Sequence, residues 1–130
     1  MYTFITNNFM KKYIYLFIFV VLLEGRIESQ SCFDLPKRFY SYSQAINEIQ
    51  NAIFKFKDKL PYGKSSWISS AFFYSCDGVN GYIVISTDKD KEYIHEKVPS
   101  RIWTEFKNAI SSGSYYVKNI KGRYELILSR

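Results

Sequence analysis

Apolar residues change their spacing several times along this chain, and each change marks an element. Tyr13–Leu23 is an unbroken uncharged apolar run, with the pair Lys11–Lys12 before it and the polar stretch Glu24–Ser31 after it. Further on, Ile46, Ile49, Ile53, Phe56 and Leu60 recur at intervals of three and four. That spacing predicts an amphipathic helix over about 42–59. Ser41 is its expected N-cap, Gln44 completes a capping box, and Leu60-Pro61 with Gly63 ends it. Its polar face, Glu48, Lys55, Lys57, Asp58 and Lys59, reads as solvated, and its apolar stripe is expected to cover one side of a sheet.

From Trp67 the period drops to two. Trp67–Tyr74 carries rings on both parities, as a strand covered on both sides would. Asp77-Gly78 and Asn80-Gly81 are turn signals. Tyr82–Ser86 is the second expected strand, Thr87–Lys91 a charged hairpin loop, and Glu92–Val98 the third strand. On that third strand Tyr93, His95 and Lys97 fall on one side and Ile94, Glu96 and Val98 on the other. Pro99 stops the strand and opens a helix, where its missing N–H costs little. Ile102, Trp103, Phe106, Ala109 and Ile110 share one face of that helix. Ser111-Ser112-Gly113 is expected to end it, with Gly113 in the left-handed position. Ser114–Ile120 predicts one or two helical turns, Gly122 closes them, and Tyr124–Leu128 is a short final strand. The fold class is therefore α+β: an N-terminal amphipathic helix, a three-stranded antiparallel meander, then one helix and a short helical turn packed on the sheet.

Composition changes this picture little. The chain of 130 residues is one domain plus a short extension. Aromatics at 19%, with 12 Tyr and 11 Phe against 2 Met, favour a core of rigid rings and argue against global disorder. The net charge is +6. Such a balance suits contact with nucleic acid, anionic lipid or acidic polymers, and it equally suits plain solubility.

The first thirty residues have the layout of a secretory signal peptide: a charged start, an apolar stretch and a polar exit. The apolar stretch is too short to cross about 30 Å of hydrocarbon at 1.5 Å per residue. Cleavage is expected after Ser29 or Gly25, giving 1–29 as leader. The alternative is a membrane anchor formed by 13–23. Cys32 is not preceded by the apolar residue a lipoprotein signal needs. Removal of 1–29 takes Lys11, Lys12, Arg26, Glu24 and Glu28, and leaves 15 basic against 10 acidic residues, a net of +5. The remaining parts are an extension over 30–64, a domain over 65–124 and a tail over 125–130. An exported location, periplasmic or secreted, agrees with the cysteine count. Cys32 and Cys76 form an even pair, which in an oxidising compartment is often a disulfide; two unpaired thiols are the alternative.

Several signatures occur together between Ser65 and Tyr124: Ser65-Ser66, an aromatic end at Tyr74, the apolar strand at 82–85, Tyr93 with Val98-Pro99, Ala109 through Tyr115 (A-I-S-S-G-S-Y), and Ile120 with Tyr124. Their order and spacing resemble the KTSC domain, a small domain found at the C-terminus of some lysine-tRNA synthetases and alone in bacterial proteins. The resemblance implies a domain whose activity is not established, and its synthetase context suggests RNA. The family's central Y-x-Y reads Tyr93-Ile94-His95 here, an imidazole in place of the second phenol.

Chemistry beyond binding finds little support in the sequence. His95 is the single histidine, so no histidine-based metal cluster is available. Cys76 and His95 on neighbouring segments are the one nucleophile–base pairing, and Cys76 sits in a turn. Asp77, Asp88 and Asp90 are turn residues by position. No phosphate loop, nucleophile elbow or zinc-protease motif occurs. The expectation is a non-enzymatic module without cofactor or metal. The candidate binding residues are Tyr93, His95 and Lys97 on one strand, and Tyr115, Lys118, Lys121 and Arg123 near the C-terminus. Rings beside cations suit single-stranded nucleic acid. The same set suits an envelope polymer such as a glycan, anionic lipid or an acidic protein, and nucleic acid fits only if the leader is not a working signal.

Overall fold

The computed structural model describes the backbone of residues 2–22 and 29–130. Helix α1, Tyr2–Leu22, takes in the polar lead as well as most of the apolar run, and its side chains over 8–20 are exposed. Leu23 and the candidate cut at Gly25 lie outside the described residues. Among the described residues no helix is long and apolar enough to cross a membrane.

The sequence after residue 29 builds an α+β unit. A short 3-10 turn at Cys32–Asp34 leads to α2, Tyr42–Asn51. Four antiparallel strands follow in the order β1-β2-β3-β4: Phe56–Lys59, Ile68–Ser75, Asn80–Thr87 and Glu92–Pro99. Helices α3, Ser100–Asn108, and α4, Ser112–Asn119, close the fold.

The sheet thus has a fourth strand where the spacing of apolar residues predicts more helix. The N-cap holds as expected: the Ser41 hydroxyl accepts from the Gln44 N–H at 3.1 Å, and the Gln44 side chain accepts from the Tyr40 N–H at 2.7 Å. However, α2 stops at Asn51, and Ala52 is extended. Residues 53–60, I-F-K-F-K-D-K-L, offer helical spacing at Ile53, Phe56 and Leu60 and alternation at Phe54, Phe56 and Leu60, so periodicity alone cannot choose. Tertiary contacts choose. Ile53 bridges to Ser31, and its N–H donates to the Gln30 carbonyl at 2.8 Å. Phe54 packs on Tyr74 and Tyr82 with ring centroids 5.4 and 6.2 Å apart. The chain then pairs Phe56–Lys59 with Phe72–Ser75. Lys57 and Lys59 lie over the Phe72 ring, so this edge strand presents charge to solvent, a known guard against edge pairing.

Both faces of the sheet are covered, as the rings on both parities of β2 require. One face packs Ala71, Phe73, Ile83, Ile85 and Val98 under Ile102, Trp103 and Phe106 of α3 and Tyr116 of α4. The other packs Tyr74, Val84 and Ile94 under Phe39, Ala45, Ile49 and the C-terminal Leu126. Cys32 and Cys76 are joined as a disulfide with Cα atoms 5.9 Å apart, which ties the extension to the β2–β3 turn.

Three further expectations are corrected. Ser111-Ser112-Gly113 starts a helix and does not end one. Ser111 is the N-cap of α4, its hydroxyl accepting from the Ser114 N–H, and Gly113 lies inside the helix. The preceding helix ends at Asn108, so Ile110 is fully exposed and off the apolar face. Tyr124–Leu128 makes one bridge, Glu125 to His95, and no strand. In that bridge the Tyr124 carbonyl accepts from the Glu96 N–H, and just beyond the segment the Ser129 N–H donates to the Phe39 carbonyl.

Candidate functional site

Strand β4 places Tyr93 and His95 on the α4 side, opposite Ile85 and Ile83 of β3. Alternation would put Lys97 beside them. It is broken by a bulge: the register slips between Gly81 and Ile83, and Lys97 takes a left-handed backbone with φ 54°. Lys97 therefore leaves the face of Tyr93 and His95. It lines a separate cavity of about 370 Å³ with Lys37, Tyr82 and Glu96.

On the α4 side, four segments converge. Trp67 precedes β2, Tyr93 comes from β4, Tyr116 and Val117 from α4, and Lys121 and Glu125 from the chain beyond α4. Together they line a cavity of about 380 Å³. The Trp67 and Tyr116 rings meet edge to face at 5.6 Å, a favoured aromatic geometry. Behind them His95 is fully buried, and its Nε2 shares a 2.9 Å hydrogen bond with the Tyr116 hydroxyl. Its Nδ1 is buried without a partner. Burial lowers the His95 pKa below its ordinary value of 6.5, and outweighs the opposing pull of the Glu125 carboxylate and the Tyr124 carbonyl. The Tyr116 hydroxyl is pushed up to about 12, chiefly by burial and then by Glu125. At neutral pH the floor of the cavity is thus an uncharged phenol on an uncharged imidazole. Charge is confined to the exposed Lys121 and Glu125.

The remaining sequence candidates do not gather here. The Tyr115 hydroxyl donates to Glu105 on α3, and its pKa is pushed up to about 12 by burial and by that carboxylate. Lys118 and Arg123 are exposed, and neither lines this cavity. Trp67, Tyr116, Val117 and Glu125 were not singled out as binding residues by the sequence. Trp67 reads as an ordinary strand ring, Tyr116 falls inside the helical turns expected over Ser114–Ile120, and Glu125 reads as part of a tail. Their shared place depends on three-dimensional closure. Cys76 is bonded to Cys32 and is not the free thiol a nucleophile needs. Asp77 accepts from the Val79 and Asn80 N–H groups and shapes the turn. Among the described residues no cluster of His, Cys, Asp and Glu could hold a metal ion.

The fold is that of a small α+β domain, an antiparallel meander with its closing helices on one face. Residues 83–124 match the family model described as KTSC domain. No curated protein and no solved structure matches the chain. Residues that carry the resemblance prove architectural. The Ser65 hydroxyl accepts from the Trp67 and Ile68 N–H groups. A side chain on Gly113 would meet Trp67 Nε1 at 2.5 Å, so only glycine lets α4 approach this close. The Ser112 N–H and hydroxyl donate to the carbonyls of Lys64 and Phe106. These contacts seat α4 beside Trp67 and so shape the cavity.

Proposed function

We propose that the chain is an exported, non-catalytic binding module of the cell envelope, and that its ligand enters the cavity walled by Trp67, Tyr93 and Tyr116. The cavity carries this reading. Concave, mostly apolar sites with a few polar groups at the rim are where small ligands bind. The disulfide supports the exported half, because such bonds persist outside the reducing cytoplasm.

A nucleic-acid-binding role is the second reading. The observation in its favour is that Lys118 and Arg123 are exposed and lie within three residues in sequence of Lys121, which lines the cavity. Against it, the carboxylate of Glu125 would face an incoming phosphate. The two separate in a titration of the full chain with single-stranded RNA at rising salt. The envelope reading predicts weak binding whose salt slope is unchanged when Lys118, Lys121 and Arg123 are replaced by alanine together. Tight binding at physiological salt, with a slope reduced by about three in the triple variant, overturns it in favour of RNA.

A further inference from the structure

We infer that the cavity between β4 and α4 takes an uncharged pyranose unit of a glycan. This inference rests on the reading of that cavity as the ligand site and names the class of ligand. Three features of the lining select it. The walls are rings, those of Trp67, Tyr93 and Tyr116, with the methyl groups of Val117 beside them. The face of such a ring is electron-rich, and it attracts the C–H hydrogens that one side of a pyranose presents. Both Trp67 and Tyr93 are partly exposed, so a sugar ring can reach them from outside.

The rim is the second feature. It carries one ammonium, Lys121, and one carboxylate, Glu125, and both are exposed. A cation drawn to the rings would meet Lys121. An anion drawn to Lys121 would meet Glu125. A neutral polyol is opposed by neither, because its hydroxyls both donate and accept. Glu125 accepts from one hydroxyl and Lys121 donates to another, each a charge-assisted hydrogen bond.

The floor is the third feature. The Tyr116 hydroxyl is held by His95, whose ring is buried and whose Nδ1 has no partner. A charged ligand group driven onto this floor would lose its water without a countercharge, which is costly. A sugar offers only dipoles there. His95 is thus a positioning residue: it fixes the phenol that forms the cavity floor and does not itself line the cavity. The volume of about 380 Å³ lies at the small end for ligand sites, suited to one or two sugar rings and not to a folded segment of another protein.

The test uses the full disulfide-bonded chain and two neutral probes, the β-1,4-linked trimer of N-acetylglucosamine and the α-1,4-linked trimer of glucose. Binding is followed by calorimetry and by tryptophan fluorescence. The expected result is saturable one-site binding of one trimer in the millimolar range or tighter, unchanged by salt. Trp67→Ala and Glu125→Gln weaken it by about tenfold each, while Lys118→Ala leaves it intact. Tyr93→Ala, at a partly exposed wall, weakens it similarly and stands in if Trp67→Ala fails to fold. Absence of saturation with both trimers overturns the inference. So does binding that these variants leave unchanged or that salt abolishes, and so does binding of a zwitterion such as glycine betaine in place of either sugar. Failure here is separable from failure of the envelope reading. An exported, disulfide-bonded chain that binds neither trimer loses only the sugar. A cytoplasmic chain with free thiols loses the envelope role whatever it binds.

Discussion

Protonating His95 is harder inside the fold than in the unfolded chain. The ring is removed from water, Nδ1 has no partner, and the folded pKa lies below 6.5. Below pH 6.5 the unfolded chain therefore binds more protons than the folded one. Stability is full above that value, declines as pH falls from it and levels off below the folded pKa. Thermal unfolding should show a lower midpoint near pH 5 than near pH 7, and His95→Gln should flatten that dependence. His95→Ala leaves the Tyr116 hydroxyl without its partner and should cost about 1–3 kcal/mol at neutral pH. A denaturation series in the parent and both variants measures both effects. At this scale the sequence was partly informative. It placed Tyr93 and His95 on one side of a strand. It did not reveal the bulge that removes Lys97, because nothing in G-Y-I-V-I or E-Y-I-H-E-K-V-P marks where the two strands lose register.

Among the elements, β1 is the one the residues hide. I-F-K-F-K-D-K-L alternates as well as it repeats at three and four, so the stretch has no single local answer. What decides is distant. The indole of Trp103 and the ammonium of Lys107, both on α3, donate to the same Asp58 oxygen at 2.8 Å. A helix over 42–59 would have left Asp58 in solvent. Partial burial pushes the Asp58 pKa up, but the bonds from Lys107, Trp103 and the Lys59 N–H outweigh it and hold the carboxyl below its ordinary value. Its contribution is present above the unfolded value of 3.8 and is lost as pH falls through the lower folded pKa. Asp58→Ala should destabilise by only about 1 kcal/mol, because the group is half exposed and screened. It should also speed amide exchange in Phe56–Lys59 more than in β3, since β1 is an edge strand held to α3 through this carboxylate. The other elements, β2 to β4 and α3, could be read with small errors of boundary. Their alternation, turn pairs and Pro99 all act locally. The start of α4 could not, because Ser-Ser-Gly serves equally as a helix stop, and only the docking of Gly113 on Trp67 settles it.

The molecule as a whole joins the segment that matches the KTSC model to the chain before the sheet through one covalent bond and one shared core. Phe39, Ala45 and Ile49 of the extension cover the sheet face that α3 and α4 leave open. The disulfide closes a separation of 44 residues, which by loop entropy stabilises by about 3–4 kcal/mol. The pairing could be anticipated from two cysteines behind an export-like leader. The cavity could not, because it draws one residue or two from each of four segments, and only two of the seven residues singled out as candidates, Tyr93 and Lys121, reach it. Cations and rings near one another in sequence were a poor guide to what closure brings together. The central claim, an exported and disulfide-closed binding module, is tested most directly by the intact mass of the chain expressed with its leader in a Gram-negative host, with and without reductant. The expected species is periplasmic, shortened by about thirty residues, and lighter by two hydrogens until reduced. A full-length chain with free thiols in the cytoplasm or the membrane fraction would contradict it.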